Sequence, residues 1–203
     1  MKYFFIIVLN LCAFLVVNQS LYASTNILFL GDSLSEGQGV NEDQSFPRLV
    51  ERNLRLKKHD VTITNGGVSG ATSASGEDRL NWHLKKPIDI VVLELGANDG
   101  LRGLKISETE KNLKKIIHLA KRKKTKVLLL GLLMPPNYGK KYTKDFERMY
   151  KKISIEEKIS LLPFILKDVA GIPEYNQADG IHPNPKGHEK VAESVTLFVE
   201  KNL

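Results

Sequence analysis

The chain has almost no cysteine. A single one, Cys12, occurs in 203 residues, and it lies in a leader-like segment at the amino terminus. Residues 24–203 therefore hold no disulfide, no thiol nucleophile and no cysteine metal site. No G-x-x-x-x-G-K phosphate loop is present, and no histidine–carboxylate cluster has metal-ligand spacing, so neither a cofactor nor a metal is expected. Repeats of 20 to 50 residues and low-complexity stretches are absent as well, which excludes a solenoid or a linker-rich chain. Aromatic residues make up only 7% of the sequence and do not interleave with lysines, so the basic balance of +7 does not form a nucleic-acid-binding stripe. That balance fits a solvated lysine-rich surface and allows weak contact with anionic lipid surfaces.

The first 23 residues differ from the rest. Lys2 precedes an apolar stretch from Tyr3 to Val17, followed by a polar exit ending at Ala23. A basic start, a short apolar region and a small residue at the exit predict a secretory signal over 1–23. The expected cut after Ala23 removes Lys2 and leaves one domain, 24–203, exported to a bacterial periplasm or secreted. That length fits a single domain with ample core, expected to be monomeric.

Strand and helix signals alternate five times along 24–203. Short apolar runs occur at Asn26–Leu30, Val61–Thr64, Ile88–Leu95, Val127–Met134 and Leu161–Phe164; the first and third stop at glycine, the second at Asn65-Gly66, the fourth at proline, and the fifth contains Pro163. Between them lie amphipathic stretches such as Phe46/Leu49/Val50/Leu54 and Leu113/Ile116/Ile117/Ala120. Ser107–Glu110 reads as a capping box, and Asn184 with Pro185 as the start of the last helix. Runs without period-2 alternation imply strands covered on both faces. The expected fold is a three-layer α/β/α sandwich, flavodoxin-like, with five parallel strands in the order 2-1-3-4-5. Pro163 in the fifth run predicts an edge strand.

In such a sheet every strand-to-helix loop emerges at the carboxyl edge, where open α/β sheets hold their ligands. Ser33 follows the first strand in Gly31-Asp32-Ser33-Leu34, Gly70 follows the second, and Asn98 follows the third in Gly96-Ala97-Asn98-Asp99. Serine after glycine is also ordinary turn chemistry. Of five histidines, His59, His83 and His118 read as surface or packing residues, and His188 as solvated. His182 alone sits in a loop, three residues after Asp179 and held out of helical geometry by Pro183. Taken locally, Asp179 and His182 suit a base with its orienting carboxylate, or a cap for the last helix. Asp32 and Asp99 read as residues that tie their own turns.

These blocks together resemble the SGNH, or GDSL, hydrolase family, in the family's order and across 24–203. The stretches Leu93–Gly103 and Pro136–Gly139 are similar to its exported thioesterase I, lysophospholipase and arylesterase subgroup; Ala71 departs from it where a polar residue is expected. The resemblance implies a serine esterase acting on fatty-acyl esters and thioesters through an acyl-enzyme. Ser33 would be the nucleophile, His182 the general base and Asp179 its orienting carboxylate. The oxyanion would be met by the N–H groups of Ser33 and Gly70 and the Asn98 amide. Gly66 and Gly67 compete with Gly70 on spacing alone. Leu101, Leu104 and Ile106 suit either an acyl groove on a mobile loop, which is the expectation, or anchors that hold that loop to the core. Two rival readings are a carbohydrate O-acetyl esterase of the same family and a non-catalytic flavodoxin-like binding protein.

Overall fold

A computed structural model describes residues 24–203; the expected leader over 1–23 lies outside the described residues. Five strands form one parallel sheet: β1 (Thr25–Gly31), β2 (Val61–Asn65), β3 (Ile90–Glu94), β4 (Lys126–Leu130) and β5 (Ser160–Leu162). Their order is β2-β1-β3-β4-β5, as the alternation of runs predicts. Ile27–Leu30, Val91–Leu93 and Leu128–Leu130 are completely enclosed, which is why the three central strands read as unbroken apolar runs. β5 is a three-residue edge strand followed by Pro163, where a missing N–H is harmless.

Among the described residues seven α-helices connect and cover the sheet: α1 (Ser33–Glu36), α2 (Phe46–Leu56), α3 (Gly76–His83), α4 (Ala97–Leu101), α5 (Ile106–Arg122), α6 (Lys140–Glu157) and α7 (Pro185–Glu200). α2 packs on α7, while α5 packs on both α3 and α6. Because parallel crossovers are right-handed, the step from β1 out to β2 puts its helix on one face. The return to β3 and onward puts α3, α5 and α6 on the other.

Local signals are met unevenly. Asn184 caps α7, its side chain accepting from the Gly187 N–H, with Pro185 first in the helix. The capping box at Ser107–Glu110 does not form. α5 begins at Ile106, whose side chain packs on the core, and this places Ser107 inside the first turn, with no side-chain cap at Lys105. Thr109 instead gives its hydroxyl to Asp99. β4 also stops at Leu130, four residues before its apolar run does. Gly131 turns the chain across β5, its N–H donating to the Leu162 carbonyl, and the remaining apolar residues continue as loop.

Candidate active site

Gly31 ends β1 in register with Glu94 at the end of β3, so the first turn leaves the sheet directly beside a buried carboxyl group. A side chain on residue 31 would collide with the Ser35 hydroxyl and with Glu94, and glycine permits that approach. Glu94 accepts from the Asp32 N–H at 3.2 Å and from the Ser35 hydroxyl at 2.7 Å. Asp32 caps the short α1 by accepting from the Leu34 N–H at 3.0 Å. Arg79 braces the same turn from below, donating to the carbonyls of Gly31 and Gly66. Ser33, first residue of α1, is thus lifted to the carboxyl edge by a turn fastened from three sides.

Two carboxyl groups beneath one turn cannot both ionise cheaply. Burial raises both: Asp32 is pushed up to about 6, and Glu94, fully enclosed and next to Asp32, goes well above the ordinary carboxylate range. Burial favours the neutral form of both groups, and more strongly that of Glu94, which is fully enclosed and faces Asp32.

The loop between β5 and α7 returns His182 over this turn. Asp179 organises the loop, accepting from the N–H groups of Ile181 and His182 at 3.0 Å each and from His182 Nδ1 at 2.7 Å. An ionised carboxylate only accepts, so Nδ1 carries the imidazole proton and Nε2 is left as acceptor. The Ser33 hydroxyl donates to it at 2.9 Å. Burial pulls the Asp179 carboxyl upward, but hydrogen bonds from the His182 side chain and the two N–H groups outweigh it and bring its pKa down to about 2. It is ionised throughout the neutral range.

The structure brings Gly70 and Asn98 to the same cleft as Ser33 and His182. Gly70 has a φ of 75°, in the left-handed region. Among the described residues the N–H groups of Ser33 and Gly70 make no hydrogen bond, whereas that of Gly66 serves the Phe29 carbonyl and that of Gly67 the Asn65 side chain. This separates Gly70 from its neighbours, which spacing alone does not. Arg102 donates to the Gly70 carbonyl at 3.0 Å. The Asn98 amide donates to Asp32 Oδ2 at 3.3 Å and to the Ala71 carbonyl at 3.1 Å.

Other expectations change. Asp99 ties a distant loop rather than its own turn, accepting from the N–H and hydroxyl of Ser73 and from Thr109. His188 is buried, not solvated: α7 packs on α2, its ring stacks on Phe46, and Nδ1 accepts from the Phe46 N–H at 3.2 Å. Enclosure first, then the nearby His182, lowers its pKa to about 4.

A cavity of about 630 Å³ runs from Ser33 and His182 toward β4 and β5. Of the three residues expected to form an acyl groove, only Leu101 lines it. Leu104 is exposed beside a separate surface groove, and Ile106 packs on the core. The apolar wall is built mainly from Leu132, Leu133, Met134, Phe164, Leu166 and Ile181. Its sequence signal was the length of the Val127–Met134 run, four residues more than β4 uses. No group of three or more metal-ligating side chains is found among the described residues.

The protein-family comparison matches residues 29–190 to the GDSL-like lipase/acylhydrolase family. An arylesterase of Vibrio mimicus is 38% identical over 96% of this chain and 98% of its own length. The thioesterase 1/protease 1/lysophospholipase L1 of Escherichia coli K12 is 36% identical over 84% of this chain and 81% of its own. Among solved structures, TesA superimposes with a TM-score of 0.85 at 37% identity, covering 88% of this chain and all of that one. Sequence, fold and the grouping of side chains at one sheet edge agree: this chain belongs to the GDSL-like lipase/acylhydrolase family.

Proposed function

We propose that the protein is a serine esterase that hydrolyses fatty-acyl esters and thioesters of aryl ester, lysophospholipid or acyl-CoA type through an acyl-enzyme. The observation that carries this reading is the unbroken line Asp179–His182–Ser33, which opens into an apolar cavity. His182 Nε2 takes the Ser33 proton as Oγ bonds to the ester carbonyl carbon, and Asp179 stabilises the imidazolium that forms. The oxyanion is met by the N–H groups of Ser33 and Gly70 and by the Asn98 amide. His182 then returns its proton to the leaving alcohol or thiol. Water, deprotonated by the same imidazole, attacks the acyl-serine, and Ser33 leaves with the proton while the carboxylic acid departs.

The apolar wall favours acyl chains over acetyl groups, because a small polar headgroup would leave most of that surface unfilled. This separates the proposal from a carbohydrate O-acetyl esterase. The enzyme acts as a monomer, without cofactor, on small-molecule lipid or ester substrates. It works in an exported compartment after removal of 1–23, with weak contact to membrane surfaces.

Labelling with a fluorophosphonate probe tests the chemistry. Wild-type protein labels, while Ser33→Ala and His182→Ala do not. Folded wild type that fails to label would leave a non-catalytic binding protein as the better description. A series of aryl esters from acetyl to lauroyl then decides the acyl class.

A further inference from the structure

The edge of the sheet opposite the cleft carries more lysines than carboxylates: Glu200 and Glu157 there pair with Lys57 and Lys121, and Asp60 and Asp89 are exposed. Helices of a parallel α/β fold return to the amino ends of the strands, and here lysines stand within three residues past the ends of α2 (Lys57, Lys58), α3 (Lys85, Lys86), α5 (Lys123, Lys124) and α6 (Lys158). Lys58, Lys85, Lys86, Lys123, Lys124 and Lys158 are exposed, and none of them is in an ion pair among the described residues. Elsewhere the lysines are answered more often: Lys114 and Lys152 meet Glu110, Lys186 meets Glu174, and Lys190 meets Glu193.

A preference for cations near helix carboxyl ends accounts for lysine in a last turn. It does not account for lysine in the left-handed position just past the helix, where glycine or asparagine is the ordinary occupant. Lys58, Lys124 and Lys158 have φ values of 67°, 60° and 51°, and only Asp168 joins them among described non-glycine residues with positive φ. The backbone is strained at three separate helix ends to keep a cation at this one edge. The same edge carries exposed apolar side chains, each in the last turn of its helix: Leu56, Trp82, Ile155 and Leu197.

We propose that this edge is a docking face for an anionic phospholipid surface. Cations spread over helix ends, with apolar side chains between them, suit headgroup phosphates above an acyl boundary. They are set around a broad face rather than along a groove, unlike the stripe that tracks a nucleic-acid backbone. The cleft opens at the other end of the strands, so the docked enzyme faces away from the bilayer and draws on esters dissolved as monomers. Docking is independent of the esterase reading; the orientation of the cleft rests on it.

The test uses residues 24–203, which contain every described element, and sedimentation with vesicles. Wild-type protein is expected to sediment with phosphatidylglycerol–phosphatidylcholine vesicles at low salt, to be released at high salt, and to ignore pure phosphatidylcholine. Changing Lys85, Lys86, Lys123 and Lys124 to Glu lowers that affinity by about tenfold or more. The cleft-end variant Lys140→Glu/Lys144→Glu keeps it. Hydrolysis of a dissolved aryl ester, unchanged in both variants without vesicles, certifies the fold and stays unchanged for wild type on saturating vesicles. Absence of sedimentation, equal loss in the two variants, retention on heparin without vesicle binding, or suppression of hydrolysis on the vesicles would each overturn the proposal. If no form hydrolyses esters, the esterase reading fails, and sedimentation alone still decides docking.

Discussion

Glu94 receives the Ser35 hydroxyl at 2.7 Å in a position closed to solvent, one strand away from the turn that carries Ser33. Burial favours the neutral form of this carboxyl group, and its Oε2 accepts two hydrogen bonds beneath the turn. Glu94→Gln keeps an acceptor oxygen and the shape, and is expected to retain most activity with the same pH profile. Glu94→Leu leaves the Ser35 hydroxyl and the Asp32 N–H unpaired, at about 1–3 kcal/mol for each. Urea unfolding and kcat measured on both variants check this. An acid limb displaced in Glu94→Gln would mean that Glu94 is ionised in the wild type.

Asn98→Ala removes one donor from the proposed oxyanion site and is expected to lower kcat by about 10²- to 10³-fold with little change in KM. Steady-state kinetics on an aryl ester decide it.

Asp179→Asn exchanges an acceptor for a group that can present its amide to the imidazole. His182 then loses the partner that keeps its proton on Nδ1. The expected loss in kcat is about 10²- to 10⁴-fold. Fluorophosphonate labelling rates should fall in parallel.

Leu166→Trp should fill part of the cavity wall and shift preference toward shorter acyl chains, by about tenfold in the ratio of lauroyl to butyryl ester kcat/KM. Leu104→Ala should leave that ratio unchanged, since Leu104 lies outside the cavity. A chain-length series on the two variants makes the comparison.

His188 gives the fold a dependence on pH whose sign follows from its lowered pKa. The unfolded chain binds a proton at about 6.5 and the folded one only at about 4. The neutral ring's contribution is therefore complete above pH 6.5 and is lost as pH falls toward 4, about 3 kcal/mol in all. Asp32, with a raised pKa, acts in the opposite direction between its unfolded value and about 6, so wild-type stability alone does not isolate the histidine. The difference between wild type and His188→Gln does, because Asp32 is common to both. Urea midpoints of the pair should converge as the pH is lowered.

The sheet was legible because its three central strands are uninterrupted apolar runs covered on both faces; β2 instead alternates, with Thr62 and Thr64 exposed, as suits an edge strand. Ser33, Asn98, Asp179 and His182 stood out because each lies in a short block just past a strand or before a helix, whereas only the family resemblance singled out Gly70 from Gly66 and Gly67. Glu94 did not. It stands inside the run Ile88–Leu95, and nothing local distinguishes a fully buried carboxyl group from a strand-end charge. His188 was misjudged for a related reason: its partner is Phe46, 142 residues away in sequence, and only the packing of α7 on α2 joins them. The acyl wall was hidden in the excess length of the fourth run. The capping box failed because core packing of Ile106 moved the start of α5.

The Asn98 amide already spends both hydrogens on acceptors of its own protein, Asp32 and the Ala71 carbonyl. In the proposed reaction, a neutral ester carbonyl competes poorly with an ionised carboxylate for such a donor. An alkoxide competes well, and the longer of the two bonds, to Asp32, is the one it would take over. The free enzyme therefore withholds part of its affinity until charge appears on the substrate oxygen. On the proposed mechanism that hydrogen bond goes to neither ester nor acid and is reserved for the short-lived species between them.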